Sequence, residues 1–182
     1  MEQQFQYYAF ISYKREDEKW AKWLQDRLRW YKLPSKLCRQ ITRLPKKVWP
    51  VFRDNTDLDS GRLEENIRHE LERSHYLIVI CSPEAARSPW VGKEVKYFAT
   101  LHGADKIIPF VVSGIPYSND IETECIHEQI KAISQEELLA INVREEGIGS
   151  FAMKKKRAFI RVVARLLDIK FNTCLLYTSP SP

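Results

Sequence analysis

The stretch YLIVICSPEAARSPWVGKEV, residues 76–95, places an apolar run directly before a helical pattern. The apolar run is typical of a strand that is buried on both faces at the centre of a parallel sheet. Val91, Val95 and Phe98 then recur at i, i+4 and i+7, the spacing of the buried stripe of a helix. We therefore predict a central strand that is followed by a helix near 88–101.

Strand-like and helical patterns alternate on both sides of this stretch. Further strands are predicted at 7–13, 48–52, 106–114 and 138–143, and further helices at 17–31, around 63–71, at 122–133 and at 153–168. Pro50 favours an edge position for the second strand, because proline cannot donate to a sheet ladder. The alternation indicates an α/β fold, a flavodoxin-like open sheet of five parallel strands in the order 2-1-3-4-5 with helices on both faces.

Composition narrows the class of protein. The 182 residues fit one domain, and the hydrophobic fraction of 44% is ordinary for a globular core. The net charge of +5 is spread along the chain. Its densest basic run, MKKKR at 153–157, fits the solvated start of a helix better than a nucleic-acid site, so we expect no nucleic-acid partner.

Cysteine spacing and hydropathy bear on the compartment. The four cysteines form no CxxC pair, which favours reduced thiols in a cytoplasmic protein over a disulfide framework or a zinc site. The first ten residues have neither a basic segment nor a long apolar run, so they do not resemble a signal peptide. No apolar stretch approaches the roughly 20 residues that span a bilayer, and we expect no membrane partner.

The chain ends in CLLYTSPSP, which has no amphipathic period and resembles a translated sequencing-adapter scar. We therefore assign residues 1–172 to one domain and predict that residues 173–182 are a non-native tail. The natural chain would then continue beyond this point.

Ligands of open parallel sheets bind beyond the carboxyl ends of the strands, so the residues that follow each predicted strand are candidates. Lys14 and Arg15 directly follow the first strand, where two cations suit a phosphate group. On these residues alone, a solvated charged loop is the better interpretation.

The helix after the central strand carries a second candidate. Ser88 suits the N-cap and Pro89 the first helical position. Trp90 and Glu94 share the face beside the buried stripe, which predicts a carboxylate at the edge of the core next to an indole. Spacing alone favours a solvated glutamate over a catalytic one.

The polar loop at 53–61 contains three aspartates but does not fit calcium. Counted from Asp54, Leu58 would occupy a ligand position, and Asp59 stands where an EF-hand loop needs glycine. The sequence also lacks GxSxG, GxxxxGK[ST], GxGxxG and HExxH, and its four histidines are scattered. We expect neither a metal site nor a cofactor.

Three blocks together resemble the Toll/interleukin-1 receptor (TIR) domain. YYAFISYKRED (7–17) resembles the first signature of that family, and FRDNTDLDSGRLEENI (52–67) resembles its BB loop. The stretch at 76–95 resembles the strand and helix that bear the catalytic glutamate of NAD-cleaving members. The match covers roughly residues 5–168 in the family's order. Ser60-Gly61 replaces the Pro-Gly of many receptor members. This difference argues against receptor-type adaptor binding and does not bear on NAD+ cleavage.

The resemblance implies a role for each matching residue. Glu94 would hold the ribose next to nicotinamide, and Trp90, one turn earlier, would line the pocket. The strand end and loop that would receive the dinucleotide are Phe10, Ser12, Tyr13, Lys14 and Arg15. The BB loop, which in active members contacts a neighbouring copy, includes Arg53, Asp54, Asp57 and Gly61.

The chemistry is consistent with so few residues. Nicotinamide in NAD+ is already a cationic leaving group, so its expulsion needs no general acid. Its departure builds oxocarbenium-like charge on the ribose, which one nearby carboxylate can stabilise. Water would then give ADP-ribose, and an internal nucleophile would give cyclic ADP-ribose.

The resemblance thus implies an NAD+ nucleosidase or cyclase of Thoeris-like bacterial anti-phage defence. Its substrate would be NAD+, and its active form would be a TIR–TIR homo-oligomer. Its partner would be a fused or separate effector or sensor. A non-enzymatic TIR–TIR scaffold is the alternative, but scaffold members commonly lack the glutamate that Glu94 matches. A phosphate-accepting receiver is a weaker third interpretation, because it would need acidic residues where Lys14 and Arg15 stand.

Overall fold

Five parallel strands form one sheet in the computed structural model, which describes residues 4–54, 61–134 and 138–178. The strands are β1 (Tyr7–Ser12), β2 (Val51–Arg53), β3 (Ser74–Cys81), β4 (Ile107–Val111) and β5 (Ile141–Asn142). Their order is β2-β1-β3-β4-β5, and every neighbouring pair is parallel. The predicted flavodoxin-like sheet is therefore confirmed, with its second strand at an edge.

Eight α-helices lie within the described residues. They are α1 (Glu18–Trp30), α2 (Ser35–Gln40), α3 (Gly61–Glu72), α4 (Pro83–Ala86), α5 (Pro89–His102), α6 (Glu128–Ile133), α7 (Phe151–Leu167) and α8 (Phe171–Thr178). Helices α1, α2, α7 and α8 contribute to the core on one face of the sheet, and α3, α5 and α6 to the core on the other. None of these helices is both long enough and apolar enough to cross a bilayer.

Strand β1 feeds both cores because successive side chains of a strand point to opposite faces. Ala9 and Ile11 lie in the core of α1 and α7, whereas Phe10 lies in the core of α3 and α5. Ser12 follows the same alternation and faces the α3–α5 side. The last residue of β1 is thereby directed toward the helix that carries Glu94.

The helix predicted at 122–133 begins only at Glu128. The Glu124 carboxylate accepts the backbone N–H groups of Tyr117 at 3.0 Å and Ile126 at 2.8 Å. His127 then caps α6, because its Nδ1 accepts the backbone N–H of Gln129 at 3.0 Å. These side-chain bonds stabilise a turn in place of the first helical residues.

Two segments are more regular than the sequence predicts. The loop expected at 32–47 contains α2, which is anchored by the fully buried Leu37. Helix α8 occupies part of the segment set aside as a tail, with Cys174 buried and the hydroxyls of Tyr31 and Thr178 2.9 Å apart. That residues 173–182 are non-native stays a prediction.

Candidate active site

Helix α5 begins where the sequence predicts. The Ser88 hydroxyl accepts the backbone N–H of Val91 at 3.3 Å, and Pro89 occupies the first turn. Glu94 lies one turn further, on the side of the helix that faces the sheet, and is 2% exposed. A solvated glutamate is therefore excluded, and this carboxyl is part of the protein interior.

Glu94 contacts the end of β1. The Ser12 hydroxyl donates to Glu94 Oε1 at 3.0 Å, and both side chains are buried. The second oxygen, Oε2, is also buried and has no hydrogen-bond partner among the residues that the structure describes. An unpaired buried carboxyl oxygen is costly, which makes it a candidate for ligand recognition.

Trp90 lies beside Glu94 and is tied to the end of β2. Its indole N–H donates to Asp54 Oδ2 at 2.9 Å. Asp54 directly follows β2 and is 5% exposed, so its carboxylate also lies inside the site. Strands β1 and β2 and helix α5 thus bring together Ser12, Asp54, Trp90 and Glu94.

Burial dominates the electrostatics of this cluster. It raises the pKa of Glu94 well above its ordinary value, and the negative charge of Asp54 raises that pKa further. The hydrogen bond from Ser12 acts in the opposite direction but is the smaller effect. Glu94 is therefore poised to respond to any positive charge that enters the site.

A cleft of about 320 Å³ opens beside Glu94 between α3 and α5. Its apolar and aromatic lining consists of Ile67, Leu71, Trp90 and Tyr97, and its basic lining of Arg68, Lys93 and Lys96. Such a mixture of apolar walls with a few polar groups is typical of small-molecule sites.

The remaining predicted substrate residues occupy different positions. Phe10 is completely buried in the core on the α3–α5 side and stacks on Phe52 with 5.1 Å between ring centroids, so its side chain is not open to a ligand. The Tyr13 hydroxyl accepts from Arg53 Nη1 at 3.0 Å. Lys14 is partly exposed and Arg15 exposed at the start of the loop that follows β1.

The residues predicted for the BB loop are only partly described. Arg53 is held inside the protein, because its Nε donates to Gln25 Oε1 at 3.0 Å in addition to the bond to Tyr13. Gly61 is the first residue of α3. Asp57 lies outside the described residues. The role of these residues in self-association stays a prediction.

Sequence reasoning missed a second buried polar pair at the same edge of the sheet. The Ser82 hydroxyl donates to the Asp17 carboxylate. The Ser82 Oγ also accepts the backbone N–H of Ala85 at 3.1 Å, which caps α4. Burial raises the pKa of Asp17. Ser82 before Pro83 is a readable capping signal, but nothing in the sequence links it to Asp17.

His127 was also missed, and it holds the start of α5 in place. Its Nδ1 accepts the N–H of Gln129, so Nε2 carries the proton and donates to the Ser88 carbonyl at 2.9 Å. Burial lowers the pKa of His127, which favours this neutral form. The tether fixes the helix that bears Trp90 and Glu94.

Comparison with known proteins identifies related chains. The family model described as "TIR domain" matches residues 9–137. The NAD(+) hydrolase ApTIR of Actinoplanes sp. is 36% identical over 110 residues, which cover 59% of this chain and 14% of that protein. The chain therefore spans about one seventh of the length of this relative.

Two solved structures are also similar. The TIR domain of the Toll-related receptor TRR-2 from Hydra magnipapillata is 23% identical, with 61% of this chain and 76% of that chain covered and a TM-score of 0.38. The TIR domains of the activated Roq1 resistosome are 16% identical, with 91% and 82% covered and a TM-score of 0.38.

Proposed function

The chain belongs to the TIR domain family, and from that premise we propose that it cleaves the bond between nicotinamide and ribose in NAD+. The observation that carries the proposal is Glu94, a buried carboxyl whose Oε2 has no partner in the described part of the chain. A ribose hydroxyl would satisfy that oxygen. The relative whose name is NAD(+) hydrolase supports the same reaction.

Glu94 would act on charge. Nicotinamide leaves as a neutral base, and positive charge develops on the ribose carbon from which it departs. A carboxylate in a dry site stabilises that charge more strongly than one in water. The cationic nicotinamide ring would itself favour ionisation of Glu94 on binding, because an opposite charge lowers the pKa of a carboxyl group.

Other residues would bind and orient the dinucleotide. Trp90 is fixed by Asp54 and would form an aromatic wall against the nicotinamide riboside. Ser12 would hold Glu94 in one rotamer, since it donates to Oε1 and leaves Oε2 for the ribose. Lys14, Arg15 and Tyr13 would receive the phosphates beyond the end of β1.

The closed geometry of the site fits activation by assembly. Glu94 is 2% exposed and Asp54 5%, so substrate access to both carboxyl groups needs a shift of the residues around them. Contact with a second copy through the BB loop, at Arg53, Asp54, Asp57 and Gly61, would favour that shift. The product of the reaction would be ADP-ribose or cyclic ADP-ribose. The enzyme would be a cytoplasmic homo-oligomer that acts in bacterial antiviral defence together with a fused or separate effector or sensor.

The test is nicotinamide release from NAD+ by the purified chain. Samples at low and high protein concentration, with and without a crowding agent, are compared with Glu94→Gln, which keeps the bond to Ser12. Liquid chromatography with mass detection resolves nicotinamide from linear and cyclic products. We expect release that rises with assembly and is lost in the variant. No release from assembled wild-type protein would instead favour the non-enzymatic scaffold.

A further inference from the structure

Large apolar side chains are concentrated where β5 joins α7. Ile148 is 95% exposed, Met153 54% and Phe151 48%. We call residues 147–157 the β5–α7 tip. Single exposed apolar residues are common on protein surfaces, but three within six positions form a patch that normally contacts something.

Four consecutive cations follow the apolar residues, Lys154 to Arg157. The Lys155 ammonium lies over three aromatic rings, 4.7 Å from the centroid of Trp23, 5.1 Å from Trp20 and 5.8 Å from Phe151. Phe151 also meets Trp20 edge-on at 6.1 Å. The tip therefore combines exposed aliphatic groups, an aromatic belt and positive charge.

The tip is held in a defined conformation. The Ser150 hydroxyl accepts the backbone N–H of Met153 at 3.3 Å and caps α7. Lys154 Nζ donates to the Arg144 carbonyl at 3.2 Å. The acidic Glu146 is buried in an ion pair with Arg161 at 2.6 Å, so its charge is compensated. Residues 147–157 thus contain four partly exposed cations and no acidic residue, although the exposed Glu145 lies just before them.

We propose that the β5–α7 tip docks the chain on an anionic membrane surface. Ile148, Phe151 and Met153 enter the headgroup region, while Lys154 and Lys156 contact lipid phosphates. Apolar side chains that insert beside lysines are the usual means of one-sided attachment to a bilayer. The expectation of no membrane partner rested on spanning segments, which such attachment does not require.

Two other occupants fit the tip less well. A stable interface between copies buries about 800 Å² on each partner, which three exposed side chains within six positions do not supply. A nucleic acid would use the lysines for its phosphates, but the fully projecting Ile148 and the neighbouring Met153 have no role in such contacts.

Vesicle sedimentation tests the proposal. The full chain is mixed with vesicles of phosphatidylcholine alone or of phosphatidylcholine with phosphatidylserine, and the pelleted fraction is measured at increasing salt. We expect binding to the anionic vesicles only, with a steep decrease as salt shortens the range of the lysine charges.

Matched variants distinguish vesicle binding by the tip from nonspecific adsorption of the protein. Ile148→Ser with Met153→Ser should lower the partition coefficient roughly tenfold or more, because each buried apolar side chain contributes to insertion. Lys154→Gln with Lys156→Gln should lower it about tenfold. Two control variants should bind as the wild type does. One is Ile121→Ser, at an apolar residue outside the tip that is 74% exposed, and the other is Lys46→Gln with Lys47→Gln, at two exposed lysines. Circular dichroism checks that each variant is folded.

Four results would overturn the proposal. The first is failure of the wild type to pellet with anionic vesicles, and the second is an equal loss of binding in the tip and control variants. The third is a tip variant that changes self-association in analytical ultracentrifugation but leaves vesicle binding unchanged. The fourth is duplex-DNA binding that depends on the lysines alone. None of these readouts involves NAD+, so the result is independent of the proposed activity.

Discussion

The indole N–H of Trp90 donates to the carboxylate of Asp54 at 2.9 Å, which ties helix α5 to the end of β2. The same carboxylate raises the pKa of Glu94, one helical turn from Trp90. One buried acid therefore positions the aromatic side chain and influences the charge of the candidate catalytic carboxyl. Asp54→Asn separates these two effects.

Asp54→Asn removes the charge but keeps an oxygen that can accept from Trp90. The pKa of Glu94 should fall, because the repulsion that favours its protonated form is lost. If Glu94 acts as a carboxylate, the acid limb of kcat/KM for nicotinamide release should move to lower pH. Asp120→Asn, at an exposed turn, is the control and should leave the profile in place. A shift to higher pH would contradict the electrostatic role of Asp54.

Ser12→Ala should move the same limb in the opposite direction. The Ser12 hydroxyl stabilises the charged form of Glu94, so its loss raises the pKa of Glu94 further. Unfolding in urea should also show a loss of about 1–3 kcal/mol, since a buried carboxyl loses its donor. The matched control is Ser74→Ala, a fully buried serine that donates to the Glu70 carbonyl at 2.8 Å. It should cost stability of similar size without moving the pH profile.

Glu94→Gln should make the protein more stable at neutral pH. The folded-state pKa of Glu94 is raised, so the folded chain binds a proton more tightly than the unfolded chain does. The resulting stability is present below about pH 4.5, the ordinary value for glutamate, and is lost as pH rises through the folded-state value. Glutamine does not ionise. The free energy of unfolding of the variant should exceed that of the wild type by about 1 kcal/mol or more at pH 7, and the difference should shrink toward pH 4.

Urea unfolding across this pH range makes the measurement. A variant that is less stable than the wild type at every pH would contradict the expectation that ionisation of the buried Glu94 destabilises the folded chain. Loss of activity together with a gain in stability is the pattern of a functional residue that is held in an unfavourable state.

The sequence predicts the sheet well because the three central strands, β1, β3 and β4, are built on continuous apolar runs. Tyr76 to Cys81 can be assigned without any tertiary information, since burial on both faces leaves no alternation. Helix α6 could not be assigned correctly, because its start depends on Glu124 bonding to Tyr117, seven residues away. Periodicity carries no information about such bonds.

The site could be predicted only in part. Ser88, Pro89 and the stripe of α5 place Glu94 close to the core, but spacing alone favours a solvated side chain. Its burial depends on Ser12, 82 residues away in sequence, which becomes a neighbour through the pairing of β1 with β3. The Asp17–Ser82 bond is long-range in the same way.

Gly92 gives a final prediction because it lies against the ring that tethers α5. A Cβ at Gly92 would lie 2.5 Å from His127 Cε1 and 2.8 Å from Nε2, well inside contact distance. The ring cannot swing away cheaply, since both nitrogens are hydrogen-bonded, one to Ser88 and the other to Gln129. Gly92→Ala should therefore destabilise the chain by roughly 1–3 kcal/mol, although alanine normally favours a helix.

A double-mutant cycle shows whether the ring is the cause. His127→Ala alone removes the tether and should also destabilise, by about 1–2 kcal/mol. In the double variant the added methyl group has no imidazole ring to clash with, so the losses in unfolding free energy of the two single variants should not add. The double variant should be more stable than the sum of those losses predicts, by about 1 kcal/mol or more. Urea unfolding of the four proteins measures this coupling. Simple additivity would mean that the methyl group clashes with some atom other than the His127 ring, and that the tether is not what confines α5 at Gly92.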